Sequence, residues 1–160
     1  TSGDLITIAR RLMVICYEDI GLANPSMGPK VKAACESALE VGLPEAIIPF
    51  GTIVCDMALS PKSNSAYLAI AKAMEDIENG NTGPLPHHLK NVYQFDGEND
   101  KYKYPHDYPG SWVNQQYLPD KIKNAKYYIP KDSSKYEEAL KENNLSKLSL
   151  MDNYNLMIGK

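Results

Sequence analysis

The feature that most constrains the fold of this chain is its most apolar run, residues 43–59. Pro44 suits a first helical position and Glu45 complements a helix N-terminus, so the run is predicted to be a helix. Apolar residues recur at intervals of one, three and four and cover nearly all of its sides: Ala46, Ile47, Ile48, Phe50, Ile53, Val54, Cys55, Met57, Ala58 and Leu59. A helix of this kind belongs in the middle of a domain or an oligomer. Pro49 predicts a kink or a late start, and the run is too short to span a bilayer.

Three further helices are predicted from apolar periodicity and from the residues that begin and end each segment. Asp4 and Ser26 are expected N-caps of the first two helices, and Ser63 or Asn64 of the fourth. The four predicted helices cover residues 4–20, 26–41, 44–59 and 63–79. Short links between helices of about 15 residues predict an all-α fold, an antiparallel helical bundle.

The composition changes at Asn81, where helical periodicity is lost. Six of the eleven prolines and seven of the eleven tyrosines lie in residues 81–133, together with the single tryptophan, Trp112. Because disordered segments are poor in aromatic residues, we expect an ordered, extended arm (residues 81–133), with short strands near 102–104 and 127–129. Ser134 and Glu137 form a capping-box pattern that predicts a helix over 134–143. We assign residues 1–147 to one helical domain and 148–160 to a tail without a periodic pattern.

Composition and cysteine placement bound the class of protein. The chain has 160 residues, is 43% hydrophobic and 23% charged, and has a formal net charge of −3, which argues against a dedicated, strongly basic nucleic-acid module. Cys16, Cys35 and Cys55 lie in apolar helical contexts and are predicted to be buried free thiols. No signal peptide or membrane span is recognised, and an opening Thr-Ser-Gly suggests a piece excised from a longer protein.

The sequence offers weak candidates for chemistry. His87-His88 and His106-Asp107 lack the companion residues of a metal site, and neighbouring residues do not form a catalytic relay. The acidic residues of 96–107 resemble a calcium loop, but Lys101 stands where its sharp turn needs glycine. No GxxxxGK[ST] pattern is present, so this segment is not expected to bind a nucleotide or to hydrolyse one by itself.

A lysine-rich and aromatic stretch supports two interpretations. Its lysines are Lys101, Lys103, Lys121, Lys123, Lys126 and Lys131, and they alternate with the aromatic residues Tyr102, Tyr104, Trp112 and Tyr117. Such a stretch can bind single-stranded DNA, with cations on phosphates and rings under bases. The alternative is a solvated rim over an aromatic structural core, and the sequence leaves both open.

Four stretches of sequence together resemble one protein family. They are Ile-Ala-Arg-Arg-Leu at 8–12 with Glu-Asp-Ile-Gly-Leu-Ala-Asn-Pro at 18–25, Leu-Ser-Pro-Lys-Ser-Asn at 59–64, Leu-Pro-His-His-Leu-Lys-Asn at 85–91, and Tyr-Lys-Tyr-Pro-His-Asp-Tyr-Pro-Gly at 102–110 with Gln-Gln-Tyr-Leu-Pro-Asp at 115–120. In this order they are similar to the C-terminal region of the RarA/MgsA replication-associated recombination ATPases. The eukaryotic relative of this family is the Werner-helicase-interacting ATPase.

The resemblance implies a AAA+ module, with ATP and Mg, ahead of this chain in the intact protein. It implies that the C-terminal region is an all-α unit related to the clamp-loader collar that assembles the enzyme into homotetramers. The whole protein would then be a cytoplasmic, nucleoid-associated, DNA-dependent ATPase at stalled replication forks. Its expected partners are its own copies, single strands and duplex ends of DNA, and replication proteins.

The family motifs name positions without giving their roles. The positions are Arg10, Arg11, Lys62, Asn64, His88, His106 and Asp107, each of which can serve DNA, a partner subunit or a helix end. An arginine near Glu18 and Asp19 most often forms a local ion pair. Three hypotheses follow: an oligomerisation domain without catalysis of its own, a module that binds single-stranded DNA or a partner protein, and an enzyme built around His88 and His106.

Overall fold

The computed structural model describes residues 2–90 and 101–157. Five α-helices are present in these residues, and no strand. They are α1 (Ser2–Ile15), α2 (Met27–Val41), α3 (Ile47–Leu59), α4 (Ser65–Glu78) and α5 (Lys135–Met157). The predicted all-α fold is therefore confirmed. The chain forms two compact units, of which unit 1 contains residues 1–71 and 128–141 and unit 2 contains residues 72–127 and 142–160.

The hydrophobic core of unit 1 is built by α1, α2 and α3. The turn after α1 is a π-helix, Cys16–Ile20, followed by the 3-10 turn Gly21–Ala23. The buried apolar residues include Leu5, Ala9, Leu12, Cys16, Ile20, Met27, Val31, Cys35, Ala38, Ala46, Phe50, Ile53 and Met57. The core thus uses the periodic positions that predicted these helices, because residues three and four apart share one helix face.

Helix α3 lies at the edge of the core and not in its middle. It begins at Ile47, so that Pro49 lies in the first turn, where a missing N–H costs no helical hydrogen bond. Its buried residues are Phe50, Ile53 and Met57. The other half of the helix is exposed, including Ile47 and Ile48 (66% each), Val54 (45%) and Leu59 (88%). The prediction of a helix buried within the domain is wrong for the chain by itself, and burial in an oligomer is untested.

Helix α4 also keeps its apolar stripe exposed. The stripe includes Tyr67, Ile70, Met74 and Ile77, and each of these side chains is about half exposed. The residue of α4 that is buried is Ser65, at its first position. Apolar periodicity identifies the side of a helix that avoids water but not the neighbour that will cover it.

Two of the three cysteines are buried and the third is exposed. Cys16 and Cys35 are buried thiols as predicted, and desolvation by burial raises the pKa of each. Cys55 is a free thiol that is exposed on the outer side of α3, so the prediction that it is buried is wrong.

In unit 2, the described part of the arm has turns in place of strands. Short 3-10 turns occur at His87–Leu89, Pro105–Asp107, Pro109–Ser111 and Asp120–Ile122. The strands predicted near 102–104 and 127–129 are absent from the described structure. The acidic residues Asp96, Glu98 and Asp100 lie outside the described residues.

Helix α5 is longer than predicted. The Ser134 Oγ accepts a hydrogen bond from the Glu137 N–H at 3.2 Å, which confirms half of the capping box. The helix then continues to Met157 instead of ending near residue 143. None of the helices in the described part of the chain combines the length and apolarity needed to cross a membrane.

Candidate functional site

Two of the family motifs meet at one junction in unit 1. Gly21 has a φ of +46°, and a Cβ at this position would lie 2.7 Å from the Ser63 carbonyl oxygen. The Ser63 N–H donates to the Asp19 carbonyl at 2.8 Å, and the Asn24 side-chain amide donates to the Ser60 hydroxyl at 3.1 Å. Asp19 and Asn24 of the first motif therefore bond to serines of the second, and Gly21 allows the two backbones to approach closely. We call residues 19–24 and 60–65 the motif junction.

Lys62 and Asn64 have structural contacts at this junction. The Lys62 ammonium group donates to the carbonyl oxygens of Met57 (2.9 Å), Ala58 (3.3 Å) and Ser60 (2.8 Å). These are carbonyls at the C-terminus of α3, where a helix leaves acceptors unpaired and its dipole favours a cation. The Asn64 side-chain oxygen accepts a hydrogen bond from the Lys131 ammonium group. The sequence left three roles open for Lys62: contact with DNA, with a partner subunit or with a helix end. In the structure its contacts are with the C-terminal end of helix α3.

A fully buried carboxylate, Glu137 of α5, lies against the same junction. One of its oxygens accepts from the Ser65 hydroxyl at 2.5 Å and the other from the Ser133 hydroxyl at 3.0 Å. Desolvation alone would raise the pKa of Glu137, but the hydroxyls of Ser63, Ser65 and Ser133 and the Lys131 backbone outweigh it and lower the pKa. Glu137 is therefore an anion held by hydroxyl groups, which we call the serine cage. Because it is enclosed, the cage stabilises structure and does not face a substrate.

Arg10 and Arg11 are exposed on α1. Among the described residues, neither forms the ion pair with Glu18 or Asp19 that the sequence suggested. In the part of the chain that the structure describes, no contact of either side chain assigns it a role.

Both ends of the arm segment 81–127 are bound to Asp76 of α4. One carboxylate oxygen of Asp76 accepts from the Asn81 side-chain amide at 3.2 Å, and the other accepts from the Tyr127 hydroxyl at 3.0 Å. Desolvation, and then the hydrogen bond to Asp76, raises the pKa of Tyr127. Lys121 reinforces the closure, since its ammonium group donates to the Gly80 carbonyl at 2.7 Å. The segment is thus a closed loop on the end of α4.

The histidines of the motifs make local contacts within unit 2. The His88 Nε2–H donates to the Gln116 carbonyl at 2.8 Å. His106 Nδ1 lies 3.2 Å from the Ser111 hydroxyl, and its ring lies 5.1 Å from that of Tyr104. Asp107, which follows His106 in the sequence, is exposed. Within residues 2–90 and 101–157, no group of three or more histidine, cysteine or acidic side chains is placed to hold a metal ion.

The six residues proposed for DNA or partner binding are divided by the structure. Lys101, Lys103, Lys121, Lys123 and Lys126 are all exposed, and Trp112 is half-buried. Lys121 differs from the other four in that its ammonium group donates to the Gly80 carbonyl, after the end of α4. Gln115 and Asp76 organise the arm through side-chain hydrogen bonds, and neither was among the predicted site residues. A single polar residue in the sequence does not indicate that its side chain will bond to a residue many positions away in the chain.

The comparisons with known proteins decide the family. The family described as MgsA AAA+ ATPase C terminal matches residues 1–148. This chain belongs to that family. The RarA/MgsA resemblance of the four motif stretches is thereby confirmed.

Members of the family occur in bacteria and in a eukaryote. The chain is 54% identical to the replication-associated recombination protein A of Bacillus subtilis (strain 168) over 145 residues, which is 88% of this chain and 34% of that protein. It is 30% identical to the Escherichia coli (strain K12) protein of the same name over 133 residues, covering 80% of this chain and 30% of that protein. It is 35% identical to the ATPase WRNIP1 of Dictyostelium discoideum over 126 residues, which is 76% of this chain and 14% of that protein. The chain thus spans about a third or less of the length of these relatives.

Proposed function

We propose that this chain is the oligomerisation domain of a AAA+ ATPase that acts in replication-associated recombination. The observation that carries the proposal is the exposed half of α3, which we call the α3 face. Its members are Ile47, Ile48, Gly51, Thr52, Val54, Cys55, Ala58 and Leu59, all exposed and none charged. Apolar patches of this kind are typical of protein interfaces.

A second copy of the chain is the partner that suits this face. In a two-fold symmetric contact the same surface meets itself, so a charge near the symmetry axis would oppose its own copy. The α3 face has no charge to repel its copy, and the charged Asp56 beside it is paired with Lys30 at 2.9 Å. One such contact would pair two copies, and a second interface elsewhere on the chain would join two pairs into the proposed homotetramer.

The names of the relatives support the wider role. Replication-associated recombination proteins and a AAA+ family description connect this chain to DNA and to replication proteins. In the intact protein, ATP and Mg would bind in the AAA+ module, and this chain would hold the modules together. We propose that the protein is cytoplasmic and associated with the nucleoid. The structure adds no support to the hypothesis of an enzyme built on His88 and His106. One ring nitrogen of His88 contacts a carbonyl and one of His106 contacts a hydroxyl, both within the arm.

The absolute mass of the chain in solution tests this proposal. Light scattering over a concentration series from low to high micromolar is expected to give a tetramer that dissociates on dilution. A strict monomer throughout the series would overturn the assembly role of these residues.

A further inference from the structure

An apolar groove in unit 1 lies between α4 and the helical stretch formed by α1 and the π-turn that follows it. We call it the α1–α4 groove, and its lining includes Met13, Val14, Tyr17, Ala66, Tyr67 and Ile70. The four largest exposed members, Val14, Tyr17, Tyr67 and Ile70, leave 48%, 66%, 46% and 59% of their surface open to solvent. Among the residues that the structure describes, none covers these side chains, and an apolar patch of this kind is typical of a binding surface.

The groove has its shape before anything binds to it. A Cβ at Gly28 of α2 would lie 2.6 Å from the Tyr17 hydroxyl oxygen, so the Tyr17 side chain lies directly on the backbone of α2. Gly28 itself is buried. Because Tyr17 is held in this way, one wall of the groove does not need to be ordered on binding, which lowers the entropy cost.

We propose that the α1–α4 groove binds a helical segment that precedes residue 1 in the intact protein. The match to the Bacillus subtilis protein covers 34% of that protein, so most of such a polypeptide lies outside this chain. The family description places the matched region at the C terminus of a AAA+ ATPase, so the outside part lies mainly ahead of it. The proposal rests on family membership, goes beyond the assembly role and does not depend on it.

An exposed apolar track leads from the start of α1 to the groove. Ile6 is 44% exposed, and Ile6, Met13 and Tyr17 are seven and four residues apart, so they share one side of the helical stretch. A segment that turns back at the start of α1 and runs antiparallel to it would follow this track. Val14 lies about 18 Å along the helix from Ser2, at about 1.5 Å per residue. With a short connection, the segment that reaches the groove lies about 10–25 residues ahead of residue 1.

A helix is the occupant that suits the shape and charge of the groove. Two neighbouring helices leave a groove between them into which the side-chain ridge of a third helix packs. Glu18 also lines the groove, beyond Val14 along the chain, where the positive N-terminal end of an antiparallel helix would lie. Arg10, exposed one turn before Val14, would face an acidic residue in the middle of that helix.

A second copy of the chain suits this groove less well than a tethered segment does. A two-fold contact brings a surface against its own copy, so a groove would face a groove and leave a gap. A segment joined to the same chain is present at an effective concentration of about millimolar, so a contact of a few side chains is sufficient to hold it.

The rate at which a maleimide reagent labels introduced cysteines tests whether the groove is covered. Val14→Cys and Ile70→Cys report on the groove, and Val41→Cys, at a position on α2 that is 55% exposed, is the matched control. Each variant also carries Cys55→Ser, because Cys55 is exposed whereas Cys16 and Cys35 are buried. In the intact protein the two groove cysteines should react about tenfold more slowly than in the 160-residue chain, because labelling then requires the segment to open. The control cysteine should react equally in both.

An extended chain locates the occupant. Adding about 25 residues of the natural upstream sequence should restore the slow labelling of both groove cysteines. The protection should persist at concentrations at which light scattering gives a monomer. Ile70→Lys in the extended chain should make the added segment about tenfold more sensitive to trypsin, since a buried charge releases it. Val41→Lys is the control for this measurement and should leave its cleavage unchanged.

Three results would contradict the proposal. The first is equal labelling of the groove cysteines in the intact protein and in the 160-residue chain. The second is protection in the intact protein that the extended chain does not reproduce, which would assign the groove to the folded AAA+ module. The third is protection that appears in the 160-residue chain as its concentration rises, which would assign the groove to a second copy. A chain that is monomeric throughout contradicts the assembly role alone, since the protection measured here is within one molecule.

Discussion

The Ser65 hydroxyl donates a hydrogen bond of 2.5 Å to the carboxylate of Glu137, across 72 residues of sequence and in a site closed to solvent. Ser65 is the first residue of α4 and Glu137 lies in the first turn of α5. The Tyr128 hydroxyl, at 3.4 Å, is a further donor to the same carboxylate oxygen. The bond links the motif junction to the segment with which the chain returns to unit 1.

Glu137→Gln tests the serine cage. An amide nitrogen cannot accept the hydrogen bonds that the carboxylate oxygen accepts, so at least one buried hydroxyl loses its partner. We expect a loss of about 1–3 kcal/mol in the free energy of unfolding, measured by urea denaturation at pH 7. Glu138→Gln, one residue along and exposed, is the control and should change stability by less than about 0.5 kcal/mol.

The contribution of Glu137 should depend on pH with a defined sign. Its pKa in the folded chain lies below the ordinary value of 4.5, so the unfolded chain binds the proton more tightly. The stabilisation is therefore complete above pH 4.5 and is lost as the pH falls through the lower, folded pKa. The stability difference between the unaltered chain and Glu137→Gln should shrink in that acidic range. A difference that grows as the pH falls would contradict the assignment.

Gly21→Ala should destabilise the motif junction. The positive φ disfavours a side chain, and the added methyl group would lie 2.7 Å from the Ser63 carbonyl oxygen. Together these effects are expected to cost about 1–3 kcal/mol, observed as a lower thermal midpoint. Gly3→Ala is a suitable control, because its added methyl group has no atom within 4 Å apart from its chain neighbours and the backbone of its own helix, and no loss is expected.

Asp76→Asn should open the arm without unfolding the core. The amide nitrogen that replaces one carboxylate oxygen can no longer accept the bond from Tyr127 or from Asn81. Hydrogen exchange in residues 81–90 and 101–127 should become faster, while that of α1 and α2 stays slow, because their core does not include Asp76. Tyr127→Phe should reproduce part of the effect, and Asp107→Asn, an exposed position of the arm, should have none. Faster exchange throughout the chain would show that Asp76 supports more than the arm.

Ile48→Glu combined with Leu59→Glu should break the proposed assembly. Both side chains lie on the α3 face, 11 residues apart and so on one side of the helix. Each buried glutamate would weaken association by about tenfold or more, which light scattering would detect as a lower mass at the same concentration. The matched control is Leu85→Glu with Leu145→Glu, since both leucines are similarly exposed but lie off α3. Equal loss of mass in the control would point to a general effect of charge.

Local patterns in the sequence were sufficient to predict the helices, because their periodicity depends on neighbours three and four residues away. The buried stripes of α1 and α2, the cap at Ser134 and the family motifs were all accessible in this way. The C-terminal end of α5 could not be predicted in this way. A helix can continue through a weakly patterned sequence when no residue in it ends the helix.

Tertiary structure alone decided which apolar faces are covered and where polar side chains find partners. Phe50 is buried and Ile48 exposed on the same apolar helix, because neighbouring helices cover only one of its sides. Lys62 binds the end of α3, and Gln115 binds Lys103, through contacts that carry no local pattern. Glu137 would be taken for a capping residue from sequence, yet its carboxylate is buried among serines because the chain returns to the motif junction 72 residues after Ser65. The path of the chain, which sets those distances, is a property of the whole fold.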